Sequence, residues 1–123
     1  MKNQDPFTGP VIVMKIAMPL FGERVSPHFG ASSKILVVDT AGGKIVHRAI
    51  WDVGERGAME TARRLASSGV DKLICNGIDR FHKQWLILRG VNVVENQRGD
   101  AEAIVAEMIG GDVPSDTSSG EDL

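Results

Sequence analysis

The chain has 123 residues, which suffices for one domain with a substantial core but not for two domains of ordinary size. Its residues are 42% hydrophobic and 24% charged, and the aromatic content of 5% predicts a mainly aliphatic core. The formal charge of -2 excludes the strongly basic surface of a nucleic-acid-binding protein. Four acids and no base lie in residues 112–123, so the rest of the chain has a mild positive excess that suits a small anionic ligand.

The cellular setting is predicted from three further properties. Cys75 is the single cysteine, so an internal disulfide is excluded and a reducing compartment is compatible with the sequence. No apolar stretch approaches the roughly 20 residues needed to cross a bilayer. Residues 1–10 lack the pattern of a signal peptide. We therefore expect a cytoplasmic protein with no membrane partner and no nucleic-acid partner.

Three strands are predicted in the first half of the chain. Residues 1–13 are expected to form a flexible leader or extension ahead of the domain, although the apolar run at 11–20 predicts a strand buried on both faces. Residues 40–44 have the length and glycine content of a hairpin turn. They separate two β-rich segments, which predict strands at 34–39 and 45–51.

The second half of the chain alternates helices with strands. Helices are predicted at 58–66, 79–89 and 100–109, and strands at 70–75 and 91–95. Asp79 and Asp100 are typical N-cap residues for the last two helices. The order β-β-β-α-β-α-β-α predicts an α/β fold, in which right-handed crossovers add parallel strands to an antiparallel group. We expect a mixed five-stranded sheet with helices on its faces, as in ribonuclease-H-like folds.

This fold prediction sets the domain boundaries. Residues 14–110 are expected to form a single cofactor-binding α/β domain. Residues 111–123 are polar and rich in glycine, serine and acids, and they predict a disordered acidic tail.

The loop at residues 24–30, Arg-Val-Ser-Pro-His-Phe-Gly, is the segment most indicative of function. Pro27 fixes the backbone ahead of His28, and Gly30 permits a conformation that a Cβ would forbid. Such a loop holds an imidazole, the commonest metal ligand in proteins, in a fixed position. A Gly30→Val substitution is expected to impair binding and to leave the fold largely intact.

A second segment is expected to meet this loop. The first strand delivers the His28 loop to its carboxyl edge, and the fourth predicted strand delivers Cys75, Asn76 and Gly77 to the same edge. We expect unpaired backbone amides at residues 76–79, which begin a helix and form a ready anion site.

Each candidate residue also has a structural interpretation. His28 can be a structural loop residue, and Cys75 can be a small buried hydrophobe. The sequence has no Cys-x-x-Cys partner for Cys75, and an iron–sulfur cluster that is held by cysteines alone needs four cysteines. His82 is either a partly buried residue on one face of its helix, or a ligand that points into the crevice at this edge of the sheet. Arg24, Arg80 and Lys83 can each complement an anion or serve as solvated surface charge.

No catalytic group is predicted. The first strand, Met14-Lys-Ile-Ala-Met-Pro19, carries no acid, so the carboxylates that hold two metals in a ribonuclease-H-like nuclease cannot assemble there. A P-loop, a Gly-x-Gly-x-x-Gly motif and a placeable Ser-His-Asp group are also absent from the sequence. We therefore predict a protein that is not an enzyme.

The chain resembles the dinitrogenase iron–molybdenum cofactor biosynthesis family. That group includes NifX, NafY, the carboxyl-terminal domain of NifB and the orange protein of sulfate reducers. The resemblance covers nearly all of residues 14–109. The segments that carry it are Met14–Pro19, Arg24–Gly30, Ile35–Asp39, Gly69–Ile78 and Arg89–Val94. The Val-Ser-Pro-His-Phe-Gly loop is the specific part of the match.

The resemblance implies a ribonuclease-H-like fold and reversible binding of a molybdenum- or iron-containing sulfide cluster. In some members the loop histidine is a cofactor ligand, and it falls on His28 here. A cysteine near the end of the fourth strand in some members resembles Cys75.

The predicted function is non-enzymatic carriage of an anionic Mo–Fe–S or Mo–Cu–S cluster between metallocofactor assembly proteins or to a cluster-accepting protein. His28 is the predicted metal ligand and Cys75 the second candidate. The predicted cofactor-binding residues are Arg24, Ser26, Phe29, Gly30, Asn76 and Gly77. The protein is expected to be a monomer or a weak dimer. The alternative is a metal-free protein-interaction or regulatory module of the same fold.

Overall fold

The computed structural model describes residues 13–110, which form a mixed α/β domain with one sheet and three helices. The strands are β1 Val13–Phe21, β2 Arg24–Val25, β3 Lys34–Ala41, β4 Lys44–Asp52, β5 Lys72–Ile74 and β6 Asn92–Val94. The helices are α1 Ala58–Ser67, α2 Arg80–Leu88 and α3 Ala101–Gly110. The predicted leader, up to residue 12, and the predicted tail lie outside the described residues.

The sheet is mixed, as predicted. Its strand order is β4-β3-β1-β5-β6, so the apolar strand β1 lies at the centre. β1 pairs antiparallel with β3 and parallel with β5, and β6 continues the parallel side. The parallel pairs follow from the crossover helices α1 and α2, which return the chain to the same edge before each new strand. The mixed α/β prediction is thus confirmed, and the ribonuclease-H-like assignment stays a prediction.

The sheet has six strands rather than the predicted five. Gly22 adopts a φ of 63° and turns the chain back directly after β1. Leu20 then pairs with Val25, and Phe21 pairs with Arg24, in a two-residue hairpin. The sequence predicts a loop at Arg24 and Val25 instead, because a two-residue strand has no periodicity to detect.

The sheet is covered by helices on both faces. Because side chains alternate along β1, Ala17 packs with α1 and α2, whereas Ile16 and Met18 pack with α3. Leu65 of α1 and Leu86 of α2 are completely buried on the first face. Within residues 13–110, no helix is both long enough and apolar enough to span a membrane.

The predicted N-caps are confirmed for two helices. The Asp79 carboxylate accepts a hydrogen bond from the His82 N–H at the start of α2. The Asp100 carboxylate accepts one from the Ala103 N–H at the start of α3. The Asp79 cap fixes the first turn of α2 at the carboxyl end of β5, beside the His28 loop.

Candidate functional site

The His28 loop is joined to the end of β5 by backbone pairing. The Phe29 N–H donates to the Gly77 carbonyl at 2.7 Å, and the Gly77 N–H donates to the Pro27 carbonyl at 3.0 Å. His28 and Gly77 therefore form an isolated parallel bridge. These bonds bring together the two segments that the sequence predicted to meet, 49 positions apart from His28 to Gly77 along the chain.

Gly77 is required by close packing rather than by its backbone angle. A Cβ at this position would lie 2.9 Å from the Pro27 carbonyl oxygen and 3.4 Å from Cδ2 of His28. The Gly77 N–H is already used in the pairing with Pro27. The expectation of an unpaired amide here is therefore wrong for Gly77, because the loop takes the donor that an anion would need.

The His28 ring is exposed and has a defined tautomer. Its Nδ1 lies 2.9 Å from the carbonyl oxygen of Phe29. A carbonyl oxygen only accepts, so Nδ1 carries the hydrogen and the neutral ring keeps its lone pair on Nε2. Metal-binding histidines are typically oriented in this way, by a hydrogen bond from the ring nitrogen that does not bind the metal.

Two buried neighbours hold the loop backbone. Phe29 is 1% exposed and packs in the core on the α1 and α2 face. Ser26 is 2% exposed, and its hydroxyl donates to the His28 carbonyl at 3.2 Å. The predicted binding residues Ser26 and Phe29 therefore lie in the site as supports, with side chains turned into the protein.

Gly30 lies against the start of α1. Its φ is 94°, and a Cβ would lie 2.5 Å from Cβ of Ala58 and 3.0 Å from Cα of Ala58. Both the backbone conformation and the packing therefore exclude a larger residue. The expectation that Gly30→Val leaves the fold largely intact is wrong, because the new side chain would overlap the first residue of a core helix.

Cys75 is completely buried beneath the site. Its side chain packs in the core with Phe29 and Leu73. Burial raises the pKa of the Cys75 thiol to about 12, and the nearby Glu95 carboxylate adds to the shift. At neutral pH the residue is a protonated thiol within an apolar core, and in this conformation it does not present a thiolate to a ligand.

His82 lies in the first turn of α2 and is paired with Asp79. Its Nδ1 is 2.6 Å from Oδ2 of Asp79, and only 17% of its side chain is exposed. The backbone and ring hydrogen bonds from His82 hold the pKa of Asp79 below its usual value. The His82 ring is tilted against Phe29, with the ring centroids 6.2 Å apart.

The remaining predicted residues have other neighbours. Asn76 is half-buried, and its carbonyl accepts a hydrogen bond from the Asn96 N–H at 3.0 Å. Arg24 is exposed on β2, where its backbone bridges to Asp100 at the start of α3. Lys83 forms an ion pair with Glu95. Among residues 13–110, no three His, Cys, Asp or Glu side chains gather closely enough to hold a metal ion by themselves.

A separate basic cavity of about 330 Å³ lies along α1. It is lined by Arg56, Arg63 and Arg64, with Glu60 as the one acid. Glu60 pairs with Arg63, and the Arg64 guanidinium stacks on the Trp51 ring at 4.5 Å. The cavity therefore has an excess of positive charge, with three guanidinium groups and one carboxylate in its lining.

Two contacts of the site do not follow from the sequence predictions. The Asp79–His82 pair is one, although the Asp-x-x-His spacing at a helix start places both side chains on one face and signals such a pair. The Gly30–Ala58 contact is the other. It joins residues that lie 28 positions apart, and no local sequence pattern indicates it.

Comparison with known proteins agrees with this architecture. The model of the family described as dinitrogenase iron-molybdenum cofactor matches residues 11–111. The uncharacterized protein MJ0580 of Methanocaldococcus jannaschii is 34% identical over 73 residues, which make up 55% of this chain and 62% of that protein. The match thus spans less than two thirds of that relative.

Solved structures share the fold. The crystal structure of PH0822 superposes with a TM-score of 0.75 at 24% identity, covering 80% of this chain and 90% of that one. The apo form of the orange protein from Desulfovibrio gigas superposes with a TM-score of 0.62 at 24% identity, covering 85% and 94% of the two chains. Since the family model spans most of the sequence and includes both the His28 loop and Gly77, the chain belongs to the dinitrogenase iron-molybdenum cofactor family.

Proposed function

We propose that this protein reversibly binds an anionic molybdenum–iron sulfide cluster and carries it to a cluster-accepting protein, without catalysing a reaction. His28 is the protein ligand in this proposal. The cluster is cargo, so the protein needs a site that binds and also releases it. Membership of a family described by the iron–molybdenum cofactor supports this class of cargo.

The observation that carries the proposal is the braced imidazole of His28. Its Nδ1–H is held by the Phe29 carbonyl, which leaves Nε2 as an electron-pair donor on an exposed ring. Ser26, Phe29 and Gly77 fix the backbone on both sides of the ring. The donor is therefore preorganised, and little conformational entropy is lost when a metal binds.

The chemistry of the remaining residues suits a site that releases its cargo. The buried, protonated Cys75 does not supply a strong thiolate bond in this conformation. Binding then depends on imidazole nitrogen and on electrostatic attraction. Such weak ligation favours transfer to a partner that offers stronger ligands.

The test is an anaerobic optical titration of the apo protein with tetrathiomolybdate, alone and with added iron or copper. We expect saturable charge-transfer bands with wild type and a large loss of these bands with His28→Ala. The iron and copper arms distinguish a Mo–Fe–S cargo from a Mo–Cu–S cargo. His47→Ala is the matched control, since His47 is exposed on β4 and paired with Asp39, remote from the loop.

The outcomes separate the possible sites. Bands of equal strength in wild type and His28→Ala would mean that the cargo binds at another site. An Arg63→Gln/Arg64→Gln variant would then test whether that site is the basic cavity on α1. The absence of bands in wild type would contradict the carrier function.

A second candidate function is a metal-free docking module. Phe81 and Leu88 lie two turns apart on α2 and are 64% and 79% exposed. Exposed apolar side chains on one helix face are typical of a protein-interaction surface. This candidate predicts a colourless protein whose association with a partner is lost with Phe81→Ser/Leu88→Ser and unaffected by His28→Ala.

A further inference from the structure

We infer that His82 is a second protein ligand of the same cargo and that Asp79 is the residue that positions it. This inference rests on the proposed carrier function and extends it by one donor. It turns a single-histidine site into a site with two imidazoles, supplied by the loop before β3 and by the first turn of α2.

The first observation is the tautomer of His82. The Asp79 carboxylate accepts the hydrogen of Nδ1 at 2.6 Å, so the neutral ring keeps its lone pair on Nε2. A metal-bound histidine commonly donates its other ring N–H to a carboxylate, which fixes the orientation of the ring. His82 thus has the same donor arrangement as His28.

The second observation is that helix capping does not require this bond. Oδ1 of Asp79 already accepts the backbone N–H of His82, which completes the N-cap of α2. The ring is held by the other oxygen, Oδ2. Asp79 therefore performs two tasks, and the orientation of the His82 ring is separate from the helix cap.

The third observation is the position of the two rings. Cδ2 of His28 lies 3.4 Å from the place where a Cβ of Gly77 would be. The His82 ring lies against Phe29, with centroids 6.2 Å apart. Phe29 and Gly77 are hydrogen-bonded to each other, so both imidazoles adjoin one pair of residues.

This arrangement suits a polynuclear cargo better than a single ion. Within the described residues, the side chains do not form a closed three-donor group around one metal position. A metal sulfide cluster extends over several ångströms and carries more than one metal atom, so separate donors can bind different metals of one cluster. Arg80 contributes positive charge in the first turn of α2, whereas Lys83 is already paired with Glu95.

The test combines binding with a readout on the histidines themselves. The variants are His82→Gln, Asp79→Asn, His28→Ala and the control His47→Gln. Each is titrated anaerobically with tetrathiomolybdate and iron, and the histidine ring nitrogens of wild type are followed by two-dimensional NMR before and after addition. Asn is as good an N-cap as Asp, so Asp79→Asn removes the charge behind the ring while α2 keeps its cap.

We expect His82→Gln to weaken binding by at least tenfold and to shift the charge-transfer bands. Loss of an outer-shell partner typically costs 10- to 100-fold in metal affinity, and we expect an effect of about tenfold for Asp79→Asn. The Nε2 signals of His28 and of His82 in apo wild type should move or broaden on addition of the cargo, and the ring signals of His47 should not respond.

The failures are distinguishable. If wild type shows bands that His28→Ala loses while His82→Gln and Asp79→Asn bind as wild type does, the carrier function stands and the second ligand is refuted. If wild type shows no bands, both proposals fail. Should His82→Gln not fold, as judged by circular dichroism, Asp79→Asn and the wild-type NMR response decide the question.

Discussion

Gly30 is the residue through which the His28 loop contacts the helical layer. Its positive φ lets the chain turn after Phe29, and its missing Cβ lets the backbone lie against Ala58 at the start of α1. The positive φ and the close approach to Ala58 each favour glycine at position 30. A substitution at Gly30 therefore affects both the loop and the helix that covers the sheet.

We predict that Gly30→Ala lowers the free energy of unfolding by about 2–4 kcal/mol. About 1–2 kcal/mol comes from the left-handed backbone conformation, and the remainder comes from the overlap with Ala58. Gly42→Ala is the matched control, since Gly42 has a φ of 61° and nothing within 4 Å of an added Cβ. It should cost only the conformational part, about 1–2 kcal/mol. If the two variants lose equal free energy of unfolding in urea denaturation, the contact with Ala58 does not restrict which residue fits at position 30.

Cys75 allows a prediction about pH. Because burial raises the pKa of its thiol from 9.0 to about 12, the folded protein holds this proton where the unfolded chain releases it. The thiol therefore favours the folded state below pH 9, and this contribution is lost progressively as the pH rises from 9 toward 12. Native protein at pH 8 should also react with a thiol reagent only after addition of denaturant.

The comparison that isolates this group is Cys75→Ala. Other groups titrate in the same range, so the difference between the two proteins is the informative quantity. The free energy of unfolding of wild type should fall more steeply above pH 9 than that of the variant. Parallel curves would mean that the thiol is accessible in the folded state.

At the scale of elements, the first turn of α2 links helix stability to the site. Asp79 caps the helix through Oδ1 and holds the His82 ring through Oδ2. The helix start is therefore placed by the same side chain that orients a candidate ligand. The loop at the end of β5 is fixed separately, by the pairing of Gly77 with Pro27 and Phe29.

We predict that Asp79→Ala lowers the free energy of unfolding by about 1 kcal/mol, the usual effect of losing an N-cap. Asp79→Asn should stay close to wild type, because its side-chain oxygen still accepts the His82 N–H. Chemical denaturation of the three proteins measures the difference. A large loss with Asp79→Asn as well would show that the ring contact, rather than the cap, stabilises the helix.

At the scale of the whole molecule, the described residues form a core on both faces of the sheet. One face of the sheet is covered by α1 and α2 and the other by α3. The central strand β1 contributes to both clusters, so the layers depend on each other. The domain boundaries expected from the sequence, 14–110, and the independence of the domain stay predictions.

We predict that a protein shortened to residues 13–110 unfolds cooperatively with the same midpoint temperature as the full chain and binds the cargo with unchanged affinity. Every residue of the two core clusters is retained in this variant. Circular dichroism and the tetrathiomolybdate titration provide the two measurements. A lower midpoint would indicate that the removed segments contribute to the core.

Much of the fold could be predicted because its signals are local. The apolar run of β1, the turn between β3 and β4, and the caps Asp79 and Asp100 each act within a few residues. The crossover rule then placed the carboxyl ends of β1 and β5 at one edge. Strand β2 could not be predicted, because two residues are too few to show the alternation of apolar and polar side chains.

The sequence by itself determined the class of fold, the candidate loop and the resemblance that led to the family, since these depend on composition, short-range pattern and a seven-residue motif. Only the tertiary structure decided the use of the Gly77 amide, the burial of Cys75, the contact of Gly30 with Ala58 and the orientation of His82. The physical reason is distance along the chain. Hydrogen-bond partners, desolvation and steric overlap depend on residues that approach one another only after the sheet and its helices have packed.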